Sequence, residues 1–268
     1  MTPPDRSNTI IFTVGTWKNY LEHAYIFQKS AEKNRLEIEI VGKEKVWKSF
    51  YENKIKDVLQ WLVFIREQQP EIRFILYADS RDSIFTADLD MIVDRYRQLH
   101  VPGKILFSSA LPKRAYPFSE DWFVETIENQ FGSGGVLNAG GYMGNVDDAI
   151  RLFTKVVDLH EQLLNRPSSL SPVLQKVYDF TGRSFCWDDQ FLLECLQADG
   201  DHLLHVDRAK ELFALWIHGW PDPVRRKPGC MSPAHDIGRA LVLHSPIRFR
   251  EEPDRCLAWA KQYEVIDE

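Results

Sequence analysis

The sequence predicts an α/β fold with a mainly parallel central sheet flanked by helices. Short apolar runs of strand type alternate with helical segments through the N-terminal part of the chain, in the order β-α-β-α-β-α-β. The composition, with 44% hydrophobic and 27% charged residues over 268 positions, is that of a globular chain that can bury a core.

The elements of this N-terminal part follow from local patterns. Thr9 to Val14 is a short run rich in β-branched residues, and the helix from Asn53 to Gln69 carries apolar residues at helical spacing before Pro70 ends it. The other predicted strands are Leu36 to Val41, Phe74 to Tyr77 and Lys104 to Ser108, and the other helices are Lys18 to Lys33 and Leu89 to Leu99. Because parallel sheets bind ligands at the carboxyl ends of their strands, the residues after Val14, Tyr77 and Ser108 are the first candidates for a site.

The second half of the chain is less regular. A glycine-rich segment runs from Phe131 to Gly144, and no internal repeat or second domain is evident, so residues 1–268 are predicted to form one domain. The predicted elements here are helices Asp147 to Leu164, Asp188 to Leu196 and Asp254 to Tyr263, and strands Leu203 to Val206 and Ala240 to His244.

Charge and cysteine content exclude several classes of function. The net charge of -6 argues against nucleic acid as the main partner, since a phosphate-binding surface needs a basic excess. The four cysteines form no CxxC pair, which favours reduced thiols over a zinc site. The N-terminus lacks the apolar core of a signal peptide, and no apolar run reaches the roughly 18 residues of a membrane span, so a cytoplasmic protein is expected.

Two acidic residues follow the third predicted strand. Asp79 comes directly after Phe74 to Tyr77 and Ala78, and Asp82 comes three residues later. Two carboxylates at a strand end can hold one hard cation, which can bridge a substrate diphosphate. The alternative is a turn in which Asp and Ser are ordinary turn residues.

The glycine-rich segment indicates a close approach of backbone to a ligand. Glycines such as Gly140 and Gly141 leave room beside the main chain, and the amide of Asn138 could bind a sugar hydroxyl. A structural turn between strands explains the composition equally well. The segment lacks the Gly-Lys-Ser/Thr of a phosphate-binding loop, which excludes that class of nucleotide hydrolase.

The remaining candidates are isolated polar residues. Asp188 and Asp189 open a predicted helix, where acids suit the helix dipole but could also reach a substrate. His244 ends a strand and could complete a metal site, with His218 as its rival, and the downstream Arg250 could contact phosphate. Lys54 lies near the start of a helix and is a further candidate for a phosphate contact.

In their order along the chain, these segments resemble the glycosyltransferase domain of the procollagen lysyl hydroxylases and its stand-alone bacterial and viral relatives. The family motifs Thr-Val-Ala-Thr, Asp-Ser-Tyr-Asp, Phe-Ser-Ala, Leu-Asn-Ser-Gly-Gly-Phe-Ile-Gly and Asp-Asp-Gln-Leu are matched by residues 13–16, 79–82, 107–109, 137–144 and 188–191. A later family segment, Leu-Asp followed by Ile-Phe, resembles Val206-Asp207 and Leu212-Phe213.

The resemblance implies a GT-A fold, Mn²⁺ with Mg²⁺ as the alternative, and transfer of a hexose from a UDP-sugar. It implies roles for the residues that match: Asp79, Asp82 and His244 as metal ligands; Thr13, Val14, Thr16 and Arg81 around the nucleoside; Lys54 and Arg250 at the phosphates; Asn138, Gly140 and Gly141 at the sugar; Asp188 and Asp189 at the sugar or acceptor. A family lysine that contacts phosphate falls at Arg250.

The sequence departs from the family at three places. Arg81 replaces a tyrosine that stacks near the base, Ser245 and Pro246 replace the glycines after the ligand histidine, and the aromatic after the fourth strand has only Tyr116 as an approximate counterpart. The acceptor is therefore open among small molecules, peptides and glycans. The alternative functions are a catalytically inactive nucleotide-sugar-binding module and a nucleotidyltransferase or phosphohydrolase.

Overall fold

The computed structural model describes residues 3–16, 24–81, 83–110, 120–215 and 240–244. The strands are β1 (Thr9–Val14), β2 (Ile38–Val41), β3 (Phe74–Ala78), β4 (Ser83–Phe85), β5 (Ile105–Ser109), β6 (Leu137–Asn145), β7 (Leu204–Asp207), β8 (Phe213–Leu215) and β9 (Val242–His244). The helices are α1 (Tyr25–Lys33), α2 (Asp57–Gln68), α3 (Leu89–Leu99), α4 (Asp121–Phe131), α5 (Val146–Asn165), α6 (Pro172–Thr181) and α7 (Asp189–Ala198). A π-helical turn (Tyr51–Lys56) leads into α2, and a 3₁₀ turn (Pro167–Ser169) follows α5.

The main sheet has six strands in the order β2-β1-β3-β6-β5-β7. β6 runs antiparallel to both of its neighbours, whereas the pairs β1–β2, β1–β3 and β5–β7 are parallel. The predicted α/β fold with a mainly parallel sheet is therefore confirmed. Because β1, β3, β5 and β7 share one direction, their carboxyl ends lie at one edge of the sheet.

A second, smaller sheet has the order β4-β9-β8. In it β9 pairs antiparallel with β4 and parallel with β8. The register places His244 opposite Ser83, so this sheet brings a C-terminal strand beside the chain segment that follows β3.

The core lies on both faces of the main sheet because successive strand residues point to opposite sides. One buried cluster contains Phe12, Tyr77 and Tyr142, and the other contains Ile11, Leu76 and Met143, which alternate with the first set along the same strands. The longest helix, α5, buries one side against the first cluster. None of the helices in the described ranges has the length and apolar character to cross a membrane.

Most of the predicted elements correspond to elements of the structure. The glycine-rich segment forms the long strand β6, and the helices α4 and α6 and the short strands β4 and β8 were not predicted. The predicted helix from Lys18 is seen from Tyr25 onward, and the predicted helix from Asp254 to Tyr263 lies outside the described residues. Cys186 and Cys195 are buried free thiols, as predicted, while Cys230 and Cys256 lie outside the described residues.

Candidate active site

Three segments bring charged side chains together at the carboxyl edge of the main sheet. The Nζ atom of Lys54, from the π-helical turn, lies 2.7 Å from Oδ1 of Asp79 and 3.5 Å from Oδ2 of Asp189. The side chains of Lys54 and Asp189 are only 12% and 9% exposed, and that of Asp79 is 21% exposed. We call these three residues the charged cluster.

Tyr77 supports the charged cluster from within the sheet. Its hydroxyl donates a short hydrogen bond to Oδ1 of Asp79, and its ring centroid lies 5.7 Å from Nζ of Lys54. Burial, followed by the charge of Asp79, raises the pKa of Tyr77 well above its ordinary value. Tyr77 is therefore a neutral donor that holds the Asp79 carboxylate beside Lys54.

The π-helical turn is fixed to the segment that precedes Asp188. The backbone N–H of Tyr51 donates to the carbonyl of Trp187 at 3.0 Å. The ring of Tyr51 stacks on His160 of α5 with 3.6 Å between centroids, and Trp187 packs edge-on against both rings. This packing joins the turn that carries Lys54 to the chain that carries Asp189. Single π-helical turns are frequent at functional sites.

Asp188 and Asp189 open α7, as predicted. The carboxylate of Asp188 is the N-cap and accepts the N–H of Phe191 at 2.9 Å. Burial, and then the charge of Asp189, raises the pKa of Asp188 to about 6. Burial also raises the pKa of Asp189, against the opposing effect of Lys54. The site therefore holds one carboxyl group that titrates close to neutral pH.

The strand β6 is irregular where it passes the charged cluster. Between Phe107 and Ser108 of β5, the partner on β6 changes from Tyr142 to Asn138, so residues 139–141 have no counterpart on β5. The carbonyl of Gly140 accepts the N–H of Asp79 at 3.0 Å, which holds the irregular stretch against β3. Bulges of this kind re-aim side chains next to active sites.

Asn138 directly precedes residues 139–141, and the two predicted sugar-contacting glycines lie within them. Oδ1 of Asn138 accepts the N–H of Gly140 at 3.0 Å. A Cβ atom at Gly141 would lie 2.8 Å from the ring of Phe213, so glycine is needed here for packing. The structure thus places Asn138, Gly140 and Gly141 beside Asp79, on the strand next to β3 in the sheet.

Sequence reasoning missed two glutamines that hold β6 in place. Gln190 accepts the N–H of Ala139 at 2.6 Å and donates to the carbonyl of Leu137 at 2.7 Å. Gln197 accepts the N–H of Leu137 at 3.0 Å and donates to the carbonyl of Gly135. Polar residues at positions 190, 194 and 197 form a stripe at helical spacing in a helix whose ten residues are all buried, and this stripe was the available signal.

Two of the three predicted metal ligands cannot be placed fully. Asp79 lies in the charged cluster, Asp82 lies outside the described residues, and only the backbone of His244 is described. The N–H of Ser83 donates to the carbonyl of Asp79 at 3.0 Å, and Ser83 pairs with His244. The backbone therefore brings Asp79 and His244 to the two sides of Ser83. Within the part of the chain that the structure describes, no three His, Cys, Asp or Glu side chains converge on a common point.

The residues predicted to surround the nucleoside follow β1 and β3. Thr13 is fully buried, and its hydroxyl has no hydrogen-bond partner among the described residues. Val14 is buried, while Thr16 and Arg81 are half-buried. The candidates Arg250, His218 and Tyr116 lie outside the described residues.

Asp207 explains the last segment of the resemblance. Its buried carboxylate accepts the N–H groups of Glu211, Leu212 and Phe213 at 3.1, 2.7 and 2.9 Å. It therefore closes the connection from β7 of the main sheet to β8 of the small sheet, and it sets the ring of Phe213 against Gly141.

Comparison with known proteins identifies the family. The family model described as the PLOD GT domain matches residues 5–164. A crystal structure of a glycosyltransferase involved in the glycosylation of the major capsid of PBCV-1 aligns with a TM-score of 0.45 and 12% identity, over 94% of this chain and 98% of that chain. No curated protein has significant sequence similarity to this chain.

The family match extends over more than half of the 268 residues and includes Lys54, Asp79 and the whole of β6. A glycosyltransferase domain implies a nucleotide-sugar donor and an acceptor. The chain belongs to the PLOD GT domain family, the glycosyltransferase domain of the procollagen lysyl hydroxylases, and is a glycosyltransferase.

Proposed function

We propose that the chain is a metal-dependent glycosyltransferase that moves a hexose from a UDP-sugar to a hydroxyl group of an acceptor. The observation that carries the proposal is the charged cluster. Two carboxylates from distant parts of the chain, Asp79 and Asp189, meet one ammonium group at the edge of the sheet where such folds bind nucleotides. The acceptor is a small molecule, a peptide or a glycan.

The nucleoside of the donor would bind at the end of β1. Thr13, Val14 and Thr16 would form one wall of the pocket, and the guanidinium of Arg81 would lie against the base. Support comes from the topology, since β1 is the parallel neighbour of β3 and its end lies at the same edge as Asp79. The unpartnered hydroxyl of Thr13 is a polar group that a ligand could satisfy.

Asp79, Asp82 and His244 would hold Mn²⁺, with Mg²⁺ as the alternative. The donor set suits such an ion, because carboxylate oxygens and one imidazole are ligands that Mn²⁺ accepts. The pairing of Ser83 with His244 supports the choice of His244 over His218. A bound ion would offset the negative charge that develops on the departing diphosphate.

Lys54 and Arg250 would add positive charge at the diphosphate. The position of Lys54 supports its role, because its ammonium is buried against Asp79 and needs a carboxylate or phosphate partner there. A lysine presents a compact charge that can contact phosphate oxygens in this position.

Asn138 and the backbone near Gly140 and Gly141 would orient the donor sugar, and Asp188 or Asp189 would contact the sugar or the acceptor. In an inverting reaction, one of these carboxylates accepts the proton of the acceptor hydroxyl. The new bond from the acceptor oxygen to the anomeric carbon then forms as the bond to the UDP oxygen breaks. A retaining reaction demands no base at this position.

The test is the release of free nucleotide from a panel of UDP-, GDP- and dTDP-sugars, with Mn²⁺ and with a chelator. We expect Mn²⁺-dependent release from one UDP-sugar, because glycosyltransferases slowly hydrolyse their own donor. Binding of UDP without release from any donor would instead identify an inactive nucleotide-sugar-binding module. The absence of UDP binding would overturn the proposal.

A further inference from the structure

The irregular stretch of β6 lacks part of its normal strand partner. Residues 139–141 have no counterpart on β5, so the sheet does not satisfy the backbone there in the usual way. A buried backbone N–H or carbonyl that stays unpaired is costly, so such a stretch needs another partner. It also carries Asn138 and Gly140, which lie next to the charged cluster.

The side chain of Gln190 supplies a partner for Ala139 of this stretch and for Leu137, which precedes it and has a counterpart on β5 but none on β3. Its Oε1 accepts the N–H of Ala139 at 2.6 Å, and its Nε2 donates to the carbonyl of Leu137 at 2.7 Å. The amide therefore bridges the two residues on either side of Asn138, as a neighbouring strand would. Nε2 also donates to Oε1 of Glu194 at 2.7 Å, which fixes the orientation of the amide.

The bridge is connected to the charged cluster on both sides, by hydrogen bonds on one and by the chain itself on the other. On one side, Oδ1 of Asn138 accepts the N–H of Gly140, and the carbonyl of Gly140 accepts the N–H of Asp79. On the other side, Gln190 directly follows Asp189, which contacts Lys54 at 3.5 Å. One side chain thus connects the helix that carries Asp189 to the strand that borders Asp79.

We infer that Gln190 is a positioning residue that holds Asn138 and Asp189 in register with Asp79, so that donor sugar and carboxylate meet at one place. This inference rests on the proposed function. Gln190 acts through its neighbours, and the nucleoside wall on β1 does not depend on it. Its loss should therefore slow the chemical step and leave nucleotide binding unchanged.

The chain contains a matched control for this residue. Gln197 lies two turns further along α7, is also buried, and makes the same kind of bridge to the N–H of Leu137 and the carbonyl of Gly135. Both residues that Gln197 bonds precede Asn138, so its bridge does not span Asn138. Replacing either glutamine with Met removes one bridge of two hydrogen bonds to β6 at nearly constant side-chain length, and Gln190→Met also removes the bond to Glu194. Both variants should therefore lose stability.

The experiment compares full-length wild type, Gln190→Met and Gln197→Met. We measure UDP binding by calorimetry, kcat and KM for Mn²⁺-dependent nucleotide release from the donor identified in the panel, and Tm. For Gln190→Met we expect kcat to fall about 10- to 100-fold with UDP affinity unchanged, since a misplacement of about 1 Å near the chemistry has effects of that order. For Gln197→Met we also expect a fall in Tm, but a kcat within about threefold of wild type.

Equal losses of kcat in both variants would overturn the inference, because they would show only that both glutamines stabilise β6. An unchanged kcat in Gln190→Met would also overturn it. Gln190→Glu keeps the length and the acceptor for Ala139 but loses the donor to Leu137, and it replaces the Met variant if that protein does not fold. We expect it to lower kcat in the same direction.

Hydrogen exchange separates this inference from the proposed function. Amide exchange of residues 137–141 in the same variants needs no donor and no activity. We expect Gln190→Met to speed exchange at Ala139 and Gly140, and Gln197→Met to speed it at Leu137. Unchanged exchange at Ala139 in Gln190→Met would show that the Gln190 bridge does not hold β6, even if the enzyme is active. A wild-type protein that releases no nucleotide from any UDP-sugar would overturn the proposed function alone.

Discussion

The carboxyl group of Asp188 titrates in a range that can be observed in the activity of the protein. Its pKa is raised to about 6 by burial and by the charge of Asp189. If Asp188 is the base, kcat should rise as the pH increases through about 6, because only the ionised form accepts a proton, and should level off above it. The measurement is kcat for transfer between pH 5 and 8 in wild type and Asp188→Asn.

The Asn variant should lose that rise, and a rise at the same pH in both proteins would assign the titration to another group.

The stability of the fold should change with pH in the sense opposite to kcat. Since the pKa of Asp188 in the folded state lies above its ordinary value of 3.8, the folded state binds more protons between the two values, and ionisation of Asp188 weakens the fold as pH rises through this window.

Asp79 is the residue of the charged cluster at which we expect a substitution to lower activity most. Asp79→Asn removes the negative charge that Lys54 contacts and one proposed metal ligand. We expect Mn²⁺-dependent nucleotide release to fall by roughly 100-fold or more, because charge stabilisation by a bound metal accounts for several kcal/mol of a barrier. The control is Asp57→Asn, since Asp57 is also paired with a lysine, Lys45 at 2.6 Å, outside the cluster.

Both variants should remain folded by circular dichroism, and only Asp79→Asn should lose activity. Normal release in Asp79→Asn would contradict the metal assignment.

The sequence predicted Lys54, Asp79 and Asp189 as members of one site. Their contact could not be read from the sequence, because it depends on the packing of three segments that are far apart in the chain.

At the level of elements, the close packing of Phe213 on β6 predicts that Gly141 cannot be replaced without a loss of stability. In Gly141→Ala the new Cβ would lie 2.8 Å from the ring of Phe213, which is 2% exposed and cannot move freely. We expect a loss of about 1–3 kcal/mol in the free energy of unfolding, as for other cases of overpacking. Urea denaturation monitored by circular dichroism measures this loss.

Gly15→Ala is the matched control for that variant. A Cβ atom at Gly15 meets nothing within 4 Å, and its φ is not in the left-handed region. Its stability should change by less than about 0.5 kcal/mol. A Gly141→Ala protein as stable as Gly15→Ala would show that Phe213 can shift away without cost.

The sequence predicted the alternating elements but not β6, for a physical reason. Glycine and asparagine are unfavourable in strands, so the local preference of residues 137–145 argues against the structure that they adopt. The strand forms because β3 and β5 supply hydrogen bonds from both sides, and glycines at 141 and 144 let Phe213 and Ile105 pack close to its backbone. Such stabilisation by distant partners leaves no periodic pattern.

At the level of the whole molecule, ligand binding should be coupled to stability. If the donor site binds UDP through a metal, UDP with Mn²⁺ stabilises the folded state, by about 2.7 kcal/mol at a ligand concentration 100 times Kd. Each kcal/mol shifts Tm by roughly 2–4 °C for a protein of this size. We therefore expect a rise of several degrees in a thermal scan with UDP and Mn²⁺.

The same scan with UDP and a chelator should show a much smaller rise. An equal rise with and without the metal would contradict metal-mediated binding of the diphosphate, and would leave nucleotide binding intact. The predicted roles of Asp82, Arg250 and the His244 side chain stay predictions, because these groups lie outside the described part of the chain. The cytoplasmic location stays a prediction as well.

The central position of β6 also determines when the active site can form during synthesis. β1, β2 and β3 can pair as soon as residue 78 has been made, but the open side of β3 has no partner until residues 141–145 follow. The third residue of the charged cluster, Asp189, is made only with α7. A ribosome-bound chain that has folded up to α5 therefore carries two of the three residues of the cluster, and the emergence of α7 completes it.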